Sequence, residues 1–332
     1  MASVDVFAVN LTVKLARKAW KVKNKRIKVL LCVLGAVLLV LCISSYIAAV
    51  SIYNSCFNYR CTTSAEDSFS VEEFPELSRE RHSFSSKQGH TLVGYLYEHA
   101  DAVQSKGVIV FAHGLGGGGQ RGYMDVFNYL ASQGYYVFAY DATANDESEG
   151  ELIGGLPQGI IDLDYAIDYA QTLEPIKNLP LVLMGYSWGG LSVGNVLNHH
   201  PEAKAVVTLA GWNSSIDMIE YRGCQMAGDA ARLLLPFVSA YEFFKYGRYA
   251  FDSAMEGFEN SDCAVMVVHG EKDDIIPIEY GYETYYEKYA DSERFVFKKY
   301  TDRDHSVIRG ADGKHDMELM AEIVSFFNAS LA

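Results

Sequence analysis

Apolar positions recur along this chain with different periods, and the changes of period mark its parts. Over 29–50 there is no period at all: none of the 22 positions is charged and 13 are Leu, Ile or Val. At 1.5 Å per residue such a helix covers about 33 Å, enough for a hydrocarbon core of about 30 Å, so the run predicts one membrane-spanning helix at 29–53. A cleaved signal peptide fits less well, because its apolar region is roughly 7 to 15 residues long and Ile47-Ala48-Ala49 is a poor cleavage site. The next segment, 54–81, is rich in Ser and Glu and reads as a stalk. Period two then appears on both sides of Gln88-Gly89, over 83–86 and 91–98, which predicts an antiparallel hairpin.

From residue 107 onward, short continuous apolar runs alternate with helical patterns. Strands are expected at 107–112, 135–140, 179–184, 205–209, 264–269 and 294–300, and helices at about 123–132, 159–172, 191–198, 278–290 and 317–330. Such alternation implies right-handed crossovers and an α/β fold with a mostly parallel central sheet flanked by helices. Residues 212–261 interrupt it and carry Phe237, Tyr241, Phe243, Phe244, Tyr246, Tyr249 and Phe251. They either cover the sheet or form a helical cap over a site at the strand ends; the cap is the reading adopted. The expected order is a basic tail (1–28), the membrane helix (29–53), a stalk (54–81) and a globular body (82–332).

Charge sharpens this picture. The first 28 residues hold eight basic side chains against Asp5, or +7, so a chain of net charge −14 leaves −21 for the rest. A basic tail before an apolar helix places the N-terminus in the cytoplasm and the body outside. The acidic body argues against nucleic acid as a partner, since phosphate would be repelled. Cys56 and Cys61 could pair in an oxidising exterior or stay free thiols. Cys32 and Cys42 lie within the membrane run, while Cys224 and Cys263 read as buried hydrophobes.

The chemistry concentrates after three strands. Gly185-Tyr186-Ser187-Trp188-Gly189 stands between a strand and a helix, the context in which G-x-S-x-G is a nucleophile elbow: the tight turn leaves no room for Cβ atoms two residues either side of the serine. A serine needs a base, an acid to orient the base and donors for the oxyanion. The base expected is His305, after the last strand. The acid is Asp273 or Asp274, after the strand that ends at His269. The donors expected are the backbone N–H groups of Leu115, with Gly116 as its rival, in the run His113-Gly114-Leu115-Gly116-Gly117-Gly118-Gly119, and of Trp188. In a parallel sheet these strand ends share one edge, so residues distant in sequence can meet there. His113 and His269 read as packing residues and His199-His200 as a helix-end pair, not as metal ligands. No spacing resembles a zinc site. The acidic stretch from Asp141 fails as a calcium loop, with Asp146 where the loop needs Gly and Leu152 where it needs Glu. No Gly-Lys-Ser/Thr follows the glycines, so no nucleoside triphosphate site is expected. No metal and no cofactor are assigned.

Taken together, His113-Gly114, Gly185-Tyr186-Ser187-Trp188-Gly189-Gly190, His269-Gly270-Glu271-Lys272-Asp273 with Pro277, and Asp304-His305 resemble the α/β-hydrolase superfamily over about 81–332. The similarity is to its serine aminopeptidase S33-like branch, which also holds esterases, lysophospholipases and monoacylglycerol lipases. That resemblance favours Asp273 over Asp274 but says little of the substrate; the complete triad at strand ends leads to the expectation of a membrane-anchored serine hydrolase acting on a small acyl ester or lipid-like substrate. An S33-type aminopeptidase, with Glu220, Asp229 or Glu242 as amine anchor, and a non-catalytic membrane-tethered binding domain are the alternatives. One departure stands out. Where the family carries Asp-x-Arg-Gly-x-Gly-x-Ser, this chain reads Asp141-Ala142-Thr143-Ala144-Asn145-Asp146-Glu147-Ser148, without the arginine and both glycines.

Overall fold

The computed structural model describes residues 2–332, with side chains from Lys14 on except those of Leu15, Ala16, Ala19, Val22 and Asn24. Met1 and the Asp5 side chain of the expected basic tail lie outside the described residues. The chain divides into two compact units, 1–52 and 53–332. The first consists of helix α1 (Ala2–Phe57) up to residue 52. Over Lys25–Phe57 this helix is long and apolar enough to cross a membrane. Its large side chains face outward, with Leu31 62% and Leu38 60% exposed, where a core helix would bury them.

The second unit is built on an eight-stranded sheet in the order β1-β2-β4-β3-β5-β6-β7-β8. Strands β1 (Leu77–Ser85) and β2 (Thr91–His99) form an antiparallel hairpin, and β2 pairs antiparallel with β4 (Tyr135–Asp141). From β4 onward every pair is parallel: β3 (Gly107–Ala112), β5 (Leu181–Tyr186), β6 (Ala205–Leu209), β7 (Ala264–Gly270) and β8 (Phe295–Tyr300). β3 and β6 are buried at every position, because helices cover both faces and leave no side of the strand for water. That is why these strands are continuous apolar runs, whereas the outer strand β1 carries exposed polar residues.

Helices α2 (Met124–Ser132) and α9 (Met317–Ser330) share one core with the sheet, in which Phe127, Leu130, Ile323 and Phe327 are fully buried beside Ile109, Phe111, Val182 and Met184. Removing a ring such as Phe327 from this packing costs about 3–5 kcal/mol. Asp316 starts α9 by accepting the N–H groups of Glu318 and Leu319 at 3.0 and 3.1 Å, satisfying donors a helix start leaves free. Helices α3 (Pro157–Ala170) and α4 (Trp188–Asn195) follow β4 and β5. Between β6 and β7 the insertion forms α5 (Ser215–Ala227), α6 (Leu235–Tyr246) and α7 (Ala254–Asn260), after which α8 (Tyr282–Tyr289) leads to β8.

The segment 54–81 differs from the stalk expected of it. Leu77 to Arg81 already belong to β1, and Cys61 and Thr63 are buried. Its polar composition suggested solvation, but its backbone groups find partners in the loop after β4: Cys61 N–H donates to the Ala144 carbonyl at 2.9 Å and Asp146 N–H to the Cys61 carbonyl at 3.1 Å. The described cysteines are all free, with Cys56 exposed.

Candidate active site

Three strand ends converge. Ser187 lies between β5 and α4 with φ 55° and ψ −114°, a conformation costly for a residue with a side chain. It persists because the surroundings over-determine it. Ser187 N–H donates to the Leu209 carbonyl at 2.8 Å, a Cβ on Gly185 would collide with the Gly189 carbonyl, and a Cβ on Gly189 would collide with the Ala112 carbonyl. The glycines of the motif are thus fixed by backbone-to-backbone approach.

The Ser187 hydroxyl lies 2.8 Å from His305 Nε2, and His305 Nδ1 lies 2.8 Å from Asp273 Oδ2. In a neutral imidazole this arrangement requires the proton on Nδ1, donated to the carboxylate, leaving Nε2 to accept from the serine. Asp273 is buried and Asp274 is exposed. Burial alone would push the Asp273 carboxyl up. Hydrogen bonds from His269 and His305, and the Ile276 N–H, outweigh it and hold the group well below the usual carboxylate range. Its other oxygen accepts Ile275 N–H at 3.0 Å and Ile276 N–H at 2.8 Å.

Several residues that support this chain were not singled out in the sequence, or were given only packing roles. His269, fully buried, places Nε2 3.2 Å from Asp273 Oδ2 and 3.0 Å from the Ile276 carbonyl. Tyr186 donates its hydroxyl to the His305 carbonyl at 3.1 Å, with ring centroids 5.5 Å apart. Nothing about the variable position of a G-x-S-x-G motif announces that role. His113 accepts the Ala142 N–H on Nε2 at 3.0 Å and so carries its proton on Nδ1, which donates to the Gly114 carbonyl at 2.8 Å. Burial lowers its pKa and keeps it neutral.

Of the residues expected to bind the oxyanion, Trp188 is the first residue of α4, so its N–H belongs to the unsatisfied donors at a helix start. Its indole is locked by donation to the Leu156 carbonyl at 2.8 Å. Leu115 sits in the loop after β3, half-buried, followed by exposed Gly116 and Gly117. The far end of that loop is tied to the Asp141 carboxylate, which accepts Gln120 N–H at 2.8 Å and Glu147 N–H at 3.1 Å. Burial nevertheless pushes Asp141 up to about 7. Arg60, outside the loop, donates to the carbonyls of Ser148 and Gly150, both at 2.8 Å, and to that of Asp146. A guanidinium from upstream thus stands against the loop that lacks its own arginine. Among the described residues, no group of three or more His, Cys, Asp or Glu side chains is placed to hold a metal ion.

Residues 103–243 match the family described as serine aminopeptidase, S33. No curated protein matches the chain by sequence. Among solved structures, an esterase of Pyrococcus furiosus is similar with a TM-score of 0.62 at 16% identity, over 83% of this chain and 100% of that one. The uncomplexed acylaminoacyl peptidase of Pyrococcus horikoshii gives 0.59 at 18% identity, over 79% of this chain but 43% of that one. Est1E of Butyrivibrio proteoclasticus, solved with ferulic acid bound, gives 0.55 at 17% identity, over 75% of this chain and 98% of that one. Sheet order and these structural likenesses give the chain an α/β-hydrolase fold, and its segment 103–243 is similar to the S33 family.

Proposed function

We propose that this chain is a membrane-anchored serine hydrolase that cleaves carboxylic esters, or similar acyl bonds, of apolar substrates. The observation that carries the reading is the relay from Asp273 through His305 to Ser187, with 2.8 Å at both links. As Ser187 Oγ adds to the acyl carbonyl carbon, its proton passes to His305 Nε2. The carbonyl oxygen becomes an oxyanion facing the N–H groups of Leu115 and Trp188, and Asp273 stabilises the imidazolium without taking its proton. Collapse breaks the ester C–O bond, and His305 returns the proton to the departing alkoxide. Water then repeats the sequence on the acyl-enzyme and frees the acid and the serine. Residues 29–53 span the bilayer in this reading, with the basic tail in the cytoplasm and the body outside.

Aminopeptidase activity is the second reading, and one observation favours it. Of the acids that could anchor a substrate amine, Glu220 and Asp229 are both bonded to Arg232. Buried Glu242 keeps one oxygen without a partner.

The test uses the full chain in detergent, with p-nitrophenyl esters from acetyl to palmitoyl, aminoacyl p-nitroanilides, and Ser187→Ala as control. Ester turnover that peaks at one chain length and disappears in the variant is expected. Cleavage of anilides alone would replace the reading with the peptidase. Silence on both, with no labelling by a fluorophosphonate, would leave a non-catalytic binding domain.

A further inference from the structure

The glycine loop that carries Leu115 has little to hold it in place by itself. Gly116 and Gly118 have φ of +89° and +87°, and a Cβ at Gly116 or Gly117 would meet nothing within 4 Å. Such a loop samples many conformations, because glycine opposes few of them, whereas an oxyanion donor has to sit within a few tenths of an ångström of its working position. Something outside the loop therefore has to fix it.

That something is the segment just beyond the apolar helix. Thr63, 4% exposed, accepts Gly119 N–H on Oγ1 at 3.0 Å and donates the same hydroxyl to Asp146 Oδ2 at 2.5 Å. Asp146 closes the triangle, accepting Thr63 N–H at 2.6 Å and Gly119 N–H at 3.2 Å. Cys61 pairs through its backbone with the loop that presents Asp146, donating its N–H to the Ala144 carbonyl at 2.9 Å and accepting Asp146 N–H at 3.1 Å. A Cβ on Gly118 would run into the Thr63 backbone and hydroxyl, so the glycine is there to let the two segments touch. Arg60 holds three carbonyls of the loop that presents Asp146.

We propose that Arg60, Cys61 and Thr63 form a positioning strap for the oxyanion loop, so that the segment joining the apolar helix to the body is a working part of the active site. The proposal rests on the serine hydrolase reading. None of the three residues touches the reacting atoms; they act through Gly118, Gly119 and Asp146. A hydrolase body cut off after residue 63 would keep all three triad residues and lose the strap.

The experiment compares full-length Thr63→Val, Thr63→Ser and Arg60→Gln with the parent chain, reading kcat and KM on the best p-nitrophenyl ester, thermal midpoint, and amide hydrogen exchange of Gly116 to Gly119. A tenfold to hundredfold fall in kcat for Thr63→Val is expected, as for a reacting group displaced by about 1 Å. KM should stay within about threefold, exchange at Gly119 should quicken, and Thr63→Ser should restore both. Arg60→Gln should follow in the same direction with a smaller effect. Unchanged kcat and exchange in Thr63→Val would overturn the strap, as would parallel losses of kcat and thermal midpoint that serine does not restore. Were the parent chain inactive on every ester, the hydrolase reading would fall by that result alone. Exchange at Gly116 to Gly119 would then decide the strap: faster in Thr63→Val upholds it as a clamp, unchanged refutes it.

Discussion

The relay at Ser187 and the strap at Thr63 serve one reaction in the reading proposed above, and they are built in opposite ways. The relay hangs from strand ends: each member sits within a few residues of β5, β7 or β8, in a turn whose shape its own neighbours dictate. The strap joins residues 83 positions apart between Thr63 and Asp146, and 56 apart between Thr63 and Gly119. Nothing near Thr63 in the sequence demands that partner. A turn written by local sterics leaves a motif, whereas a clamp written by tertiary pairing leaves ordinary residue types.

That contrast accounts for what could be read in advance. The sheet was legible because strands buried on both faces must be apolar throughout, as in β3 and β6. The elbow was legible because a Cβ at Gly185 or Gly189 would strike backbone, and the order Ser187, Asp273, His305 follows from where strands end. Residues 54–63 misled because a polar stretch looks the same whether its backbone bonds to water or to a neighbouring loop. The missing arginine of the 141–148 loop was visible as an absence, but the hydrogen bonds from Arg60 to the carbonyls of Ser148 and Gly150 were recognisable only once the fold brought it there.

The largest effect that would break the comparison lies in the relay. Ser187→Ala is expected to lower kcat on the order of 10⁶-fold, with thermal midpoint unchanged within a few degrees; anything near full turnover would remove Ser187 from the chemistry. Asp273→Asn should cost about 10⁴-fold in kcat, because an amide favours the wrong imidazole tautomer. The folded carboxyl is held below its ordinary range. Its ionisation therefore adds stability that is present above the unfolded value near 3.9 and is lost only as pH falls through the lower folded value. Acid unfolding of the asparagine variant should accordingly depend less on pH below about 4.

On the strap side, two neighbouring glycines give an internal control. Gly118→Ala introduces a methyl at φ +87° directly against Thr63, and a kcat loss on the order of 10²-fold is expected, since displacement by about 1 Å costs that much. Gly117→Ala points into open space and should stay within about threefold, because its side chain displaces nothing. Equal losses in the two would mean that the loop needs flexibility everywhere and not a fixed contact at Gly118.

The smallest effect probes how the residues just before the strap join the insertion between β6 and β7, where Glu242 of α6 accepts the Tyr53 hydroxyl at 2.6 Å and the Ser215 hydroxyl at 3.0 Å on the same oxygen. Burial pushes this carboxyl up to about 7, against the lowering influence of both hydroxyls and of Lys245. A folded value above the unfolded one near 4.3 means that the native state holds the proton more tightly. The contribution of Glu242 to stability is thus greatest below about 4, falls as pH rises towards 7 and is flat beyond. Glutamine keeps the accepting carbonyl for Tyr53 and Ser215 and carries no charge to desolvate. Glu242→Gln should therefore match the parent chain at pH 4.5 and exceed it at pH 8 by about 2–3 kcal/mol, a midpoint shift of roughly 5–10 °C for a domain of this size. The difference between the two chains is what must be measured, because Asp141 also titrates near 7 and His200 near 9, and these cancel in the subtraction. A constant offset from pH 4.5 to 8 would mean that Glu242 keeps one protonation state throughout. The Tyr53 contact would then be an ordinary charged hydrogen bond instead of one whose strength follows pH.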